Sequence, residues 1–209
     1  TATAGAGTLT ARALLGQGEC EFALARYDHA MERLDQARQA ADTAEDRGLQ
    51  SRIHVTAARV HARRGEFDEA LQACARSETL ARELGDGRHR VLSVLVSGDV
   101  FARRGAFAEA REAFESGVVI AERIEDFGGQ ARALNSLAIV ARQTGDFPGA
   151  LGFLERSGAI FRRMGEPLGE TRALYNQGNV HLNRGQWADA RRCYEPALRS
   201  LRALGARHD

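Results

Sequence analysis

Arg132, Asn135, Arg172, Tyr175, Asn176, Asn179 and Asn183 carry side chains suited to gripping a peptide. An arginine fork binds a carboxylate through two parallel N–H···O bonds, and an asparagine amide offers both donor and acceptor to an extended backbone. Four of these residues, Tyr175, Asn176, Asn179 and Asn183, recur along one helical stretch beside Arg172. Catalytic chemistry has no comparable signal. His54 and His61 lie seven apart and His181 repeats the place of His61, which reads as core or boundary packing. His29, His89 and His208 fall on a helix, a loop and the tail. No nucleophile is paired with a base, and no glycine-rich loop follows a strand. The acid pairs Glu45-Asp46 and Glu125-Asp126 read as solvated helix ends. Cys20, Cys74 and Cys193 form no C-x-x-C pair, so neither a disulfide framework nor a metal site is signalled. The expectation is a non-enzyme without cofactor or metal.

The elements that position these residues repeat with a period of 40. Arg64-Gly65-Glu66-Phe67-Asp68-Glu69-Ala70 returns as Arg104 to Ala110, Thr144 to Ala150 and Arg184 to Ala190. A worn copy, Arg26-Tyr27-Asp28-His29-Ala30, precedes them with Ala25 in place of the glycine. Each period holds two helical patterns. The spacing predicts helices near 9–24, 28–45, 50–63, 67–84, 89–103, 107–124, 129–143, 147–163, 169–183 and 187–204. Gly65 suits a left-handed helix end, the polar residue after it suits a cap for the next helix, and Asp146 with Pro148 marks a helix start. Pro196 should interrupt the last helix.

Positions 54, 57, 58 and 61 are spaced as one packing face of the first helix in each pair, helix A. A small residue (Ala58, Gly98, Ala138, Gly178) lets the second helix, B, approach. An aromatic (Phe67, Phe107, Phe147, Trp187) opens helix B, and Leu34, Cys74, Phe114, Leu154 and Tyr194 share one place further along it.

This pattern of small residue, Gly-x-aromatic-x-x-Ala and large apolar residue resembles the tetratricopeptide repeat, whose usual unit is about 34 residues. The longer period is similar to that of kinesin light chains, spindle adaptors and bacterial signalling regulators, with each helix longer by most of a turn. The resemblance implies an all-α, right-handed superhelical solenoid of five helix-turn-helix repeats, near 9–47, 48–87, 88–127, 128–167 and 168–209, after a linker at 1–8. It also implies that the A helices line a concave groove through positions equivalent to 52, 55, 59, 62 and 63. Those positions carry eight arginines against Glu19 and Asp99, on a chain whose formal net charge is +1. Arg52, Arg59, Arg132, Asn135, Arg142, Arg172, Tyr175, Asn176, Asn179 and Asn183 are the candidate peptide-binding residues. Relatives use a basic residue at the place of Arg172 and asparagine at that of Asn176.

The expected function is a protein-interaction module that binds an acidic peptide or partner segment. One alternative is an effector-sensing or regulatory segment of a larger bacterial regulator. Another is self-association, as a homodimer, through Tyr194, Leu198 and Leu201 on the last helix. Nucleic acid ranks behind peptide, because 29 basic residues are balanced by 28 acidic ones. All the basic residues except the histidines are arginine, as in a GC-rich, bacterial coding bias. No apolar run is long enough for a membrane span, and no secretory signal is present. Reduced thiols in the cytoplasm are the matching expectation.

Overall fold

The turns between helices set the architecture. In the computed structural model, which describes residues 2–205, residues 25, 45, 65, 85, 105, 125, 145, 165 and 185 all have positive φ. They are spaced by 20 residues, half the sequence period. After each, the next backbone N–H returns to the carbonyl five residues back, at 2.8–3.0 Å. This is the bond that closes a helix on a left-handed residue and satisfies one of its last carbonyls.

Ten helices result among the described residues: α1 (Ala2–Ala23), α2 (Tyr27–Thr43), α3 (Arg47–Arg64), α4 (Phe67–Glu83), α5 (Gly87–Arg103), α6 (Phe107–Arg123), α7 (Phe127–Gln143), α8 (Phe147–Met164), α9 (Pro167–Asn183) and α10 (Trp187–Gly205). Odd-numbered helices are the A helices and even-numbered ones the B helices. No strand occurs among the described residues. Contacts group into two compact units, residues 1–106 with α1–α5 and 107–209 with α6–α10. The unbroken period had suggested one continuous array.

Several expectations need correction. The described part of the segment read as linker is helical from Ala2. A Cβ at Gly7 would lie 3.2 Å from the Ala44 Cβ, so the glycine lets α1 lie close against the end of α2. Asp46 and Asp126 are not idle surface acids. With Asp86 and Asp146 they cap α3, α7, α5 and α8, accepting from the backbone N–H three residues on at 2.9–3.0 Å. Glu45 and Glu125 occupy the left-handed turn itself. Glu66 does not cap α4 through its side chain. Its carboxylate accepts instead from the His61 ring at 2.6 Å and from Arg64 at 2.8 Å. His89 belongs to the first turn of α5, not a loop. Helix α10 runs through Pro196 without interruption. His208 and the end of the fifth repeat, residues 206–209, lie outside the described residues, as does Thr1.

Packing follows the columns. Ala30, Ala70 and Ala150 are fully buried and Ala190 nearly so, which brings α2, α4, α8 and α10 tight against the A helices of their own units; Ala110 of α6 is also fully buried. The first unit centres on Leu15, Leu34, Leu49, Ile53 and Val60, continued by Val55, Ala58, Cys74 and Val96. In the second, Ala138, Ala141, Leu154 and Val180 form the corresponding seam. Polar bonds cross these seams where serine replaces an apolar residue. Ser77 donates to the Ser51 carbonyl at 2.8 Å and accepts from Ser93 at 2.8 Å, tying α3, α4 and α5 together. The opening aromatics Phe67, Phe107 and Phe147 are half-buried, and Trp187 is 70% exposed.

The turn residues yield a direct expectation. A non-glycine residue in the left-handed region costs about 1–2 kcal/mol. Glu45→Gly and Glu125→Gly should each raise stability by about 1 kcal/mol in urea denaturation. Gly65→Ala should lower it by a similar amount, because a Cβ there meets nothing within 4 Å and only the backbone is strained.

Candidate functional site

The A helices expose a narrow strip. Each lies beside the next A helix of its unit, so residues at the place of 55 turn into that contact. Leu15, Val55 and Asn135 are 1, 2 and 8% exposed, and Val55 packs with Val96 and Leu92 of α5. Ala62 is buried and Arg142 half-buried at the neighbouring place. The places of 52, 59 and 63 stay open, apart from half-buried Leu92, Ile139 and Asn179. In the first unit they carry Arg12, Arg52, Arg59, Arg63 and Arg103 against Glu19 and Asp99, all exposed. Arg59 lays its guanidinium 4.8 Å from the centre of the Phe22 ring, which itself lies 6.0 Å from Tyr27. Cation–π contact of this kind holds an arginine in place while leaving its hydrogen-bond donors free.

In the second unit the arginines share the strip with an amide chain. Asn176 Nδ2 donates to Asn135 Oδ1 at 2.9 Å, linking α9 to α7. Asn179 Nδ2 lies 3.4 Å from Asn176 Oδ1, and the Tyr194 hydroxyl of α10 donates to Asn179 Oδ1 at 2.7 Å. Burial, with the neighbouring Tyr175 hydroxyl, raises the Tyr194 pKa, so the phenol keeps the proton it donates. The two tyrosine rings tilt together at 5.7 Å, leaving Tyr175 53% exposed. Arg142 donates to Asn183 Oδ1 at 3.2 Å. Arg132 and Arg172 stand exposed beside this chain. Each amide carries two N–H donors. The hydrogen bonds described use one on Asn176, one on Asn179 and none on Asn135.

The placement differs from the sequence reading in two respects. Asn135 is nearly buried and orients Asn176, where an exposed contact residue was expected. Tyr194 does not face outward from the last helix. Its ring covers Gly178, where a Cβ would collide with it, so Tyr194 belongs to the packing of α9 on α10. Leu198 and Leu201 are exposed at 49 and 47%. Asn135 was legible as polar, but its partner was not, because only the stacking of α7 on α9 brings residues 135 and 176 together.

His61 and His181 hold equivalent places and equivalent bonds, to Glu66 at 2.6 Å and Gln186 at 2.9 Å across the turn. Burial pushes the Cys74 thiol up to about 11. No group of three or more His, Cys, Asp or Glu among the described residues is placed to hold a metal ion. No described helix is long and apolar enough to cross a membrane.

The turns, alanine columns and paired helices define a tandem helix-turn-helix scaffold. Tetratricopeptide-repeat family profiles match residues 51–76, 130–164 and 175–208, which identifies these stretches as tetratricopeptide repeats. No curated protein sequence matches the chain. Among solved structures, aspartyl phosphate phosphatase F from Bacillus subtilis superposes with a TM-score of 0.83 at 13% identity, over 96% of this chain and 52% of that one. A Rap protein complexed with competence and sporulation factor gives 0.82 at 16%, over 93% of this chain and 54% of that one. The nearly identical TPR-like repeats of a putative kinesin light chain from Podospora anserina give 0.70 at 17%, over 94 and 96%. The chain thus spans about half the length of the first two. Tetratricopeptide repeats build protein-interaction scaffolds and are generally non-catalytic.

The amide chain makes its own prediction. Asn176→Ala leaves the nearly buried Asn135 carbonyl without its donor and should cost about 1–3 kcal/mol. Tyr194→Phe removes one hydrogen bond and should cost about 0.5–1.5 kcal/mol. Urea denaturation checks both, and an unchanged Tyr194→Phe midpoint would mean the hydroxyl bond contributes nothing.

Proposed function

We propose that the exposed A-helix strip receives an extended acidic segment of a partner protein. The observation that carries this reading is the amide chain of the second unit, which is held in place by Asn135 and Tyr194 yet keeps unused donors beside exposed arginines. An extended peptide has unpaired backbone N–H and C=O groups, and fixed side-chain amides complement them at low entropic cost. Arg132, Arg142 and Arg172 supply charge for acidic side chains, and Tyr175 offers an aromatic face. Arg52 and Arg59 present the same charge on the first unit. Asn176, Asn179 and Asn183 are the backbone-reading residues, with Asn135 behind them. The Rap protein of similar fold is found in complex with competence and sporulation factor, which supports a partner-binding role for this scaffold.

A second reading is an effector-sensing or regulatory segment of a larger bacterial regulator, supported by the similar fold of a Rap conjugation gene regulator in complex with a peptide. The same surface would then receive an effector or an internal domain. Self-association through α10 rests on Leu198 and Leu201 alone, since Tyr194 is committed to its own repeat.

A degenerate pool of fluorescein-labelled, glutamate-rich peptides tests the first reading by fluorescence anisotropy. Arg132→Glu/Arg172→Glu should weaken binding at least about tenfold, a loss of about 1.4 kcal/mol. Its unfolding midpoint should not move, because both side chains are exposed. Wild-type affinity should fall as salt rises. Binding unchanged in the double variant rules out the acidic-peptide reading.

A further inference from the structure

A cavity of about 320 Å³ opens between α2, α3 and α4, on residues that the exposed A-helix strip does not use. Its floor is apolar, with Leu34 and Ile53 each 1% exposed. Half-buried His54 stands in it, and Arg38 and Arg76 reach it from α2 and α4.

The protein contains its own comparison. Eighty residues on, the places of Leu34, His54, Ala57 and Ala73 are taken by Phe114, Leu134, Leu137 and Phe153. Phe114, Leu134 and Leu137 are 1, 1 and 2% exposed, so at this place in the second unit large apolar side chains are packed away. The first unit has the same helices at the same spacing with smaller or polar side chains at these four places, while Ile53 is larger than its counterpart Ala133. The cavity's size falls at the lower end of the range for small-ligand sites, about 300–1,000 Å³.

The charges favour one ligand chemistry. Arg38 already has Asp35 at 3.7 Å and Asp42 at 3.6 Å. Arg76 is exposed and forms no ion pair among the described residues. Glu69 and Asp35 stand at the rim, Asp35 being held by Arg38. Burial, followed by the charges of Arg76 and Arg38, lowers the His54 pKa and keeps its imidazole neutral near pH 7. A neutral imidazole offers one N–H donor and one acceptor.

We propose that this cavity binds a small carboxylic acid with an aromatic or branched apolar body. The body would lie against Leu34, Ile53, Ala57 and Ala73, and the carboxylate would meet Arg76 and the His54 N–H. The proposal is independent of peptide docking on the A-helix strip, since none of these residues takes part there.

The probe is 4-fluorophenylacetate, followed by ¹⁹F NMR, with 4-fluorophenylacetamide and 4-fluorobenzylamine as neutral and cationic controls. The acid should bind at about 1 mM or tighter, with the amide at least about tenfold weaker and the amine without measurable affinity. Arg76→Gln should reduce acid binding to the level of the amide with an unchanged melting temperature. Ala57→Leu/Ala73→Phe copies the filled second unit and should abolish binding while keeping or raising stability. If that variant fails to fold, Arg76→Gln with the amide control still decides the question. No binding of the acid at about tenfold higher concentration overturns the proposal. So does equal affinity for amide or amine, or undiminished binding by the filled variant.

Discussion

One backbone device governs this molecule: a helix closed on a left-handed residue, repeated every 20 positions from 25 to 185. The return bond from the following N–H fixes both the end of one helix and the entry to the next. Helices α2 to α9 are therefore all 17 or 18 residues long. Equal lengths keep equivalent residues in columns, and those columns are what stack. Where Ala25, Glu45 and Glu125 hold the turn in place of glycine, the fold keeps the conformation against its local preference. Tertiary packing outweighs about 1–2 kcal/mol of backbone strain at each such turn.

Column register decides which surfaces can vary. Ala30, Ala70, Ala150 and Ala190 sit where the two helices of a pair meet, so there is no room for a larger residue. One step away, size is exchanged between partners. Gly178 makes space for Tyr194, and Gly18, whose Cβ would lie 3.1 Å from Leu34, makes space for that leucine. The exposed places of 52, 59 and 63 are free of these demands, and there arginine, asparagine, leucine and acid all occur. Chemistry is thus concentrated where the repeat does not constrain it. Residues 135 and 176 show the exception, in which two packed places become polar together and form a hydrogen bond between α7 and α9.

Helix number, type and order were legible because two independent signals, the 40-residue period and the turn chemistry, agree along the chain. The 20-residue half-period was hidden. Turns ending A helices carry glycine at 65, 105, 145 and 185, but those ending B helices alternate between Glu45, Gly85, Glu125 and Gly165. Without that half-period, Asp46, Asp86 and Asp126 could not be recognised as caps. The start of α1 was missed because Ala2 to Gly7 has no apolar periodicity. Gly7 lies close against the end of α2, which a hydropathy pattern does not record. At the candidate site, residue types were readable and orientation was not. Position 55 lies three residues from position 52, yet the neighbouring A helix buries one and leaves the other exposed. That distinction depends on contacts between helices rather than on the sequence of either.

The central claim is that preset side-chain amides on the second unit meet a partner's backbone. Side-chain ¹⁵N NMR reads them directly, by following the Nδ2 resonances of Asn135, Asn176, Asn179 and Asn183 while an unlabelled glutamate-rich peptide pool is added. The account predicts saturable shifts at Asn176, Asn179 and Asn183, a smaller one at Asn135, and little change in asparagine-free α8 and α10 backbone amides facing away from the strip. Saturable shifts confined to backbone amides of the B helices, with the four asparagines unmoved, would contradict it.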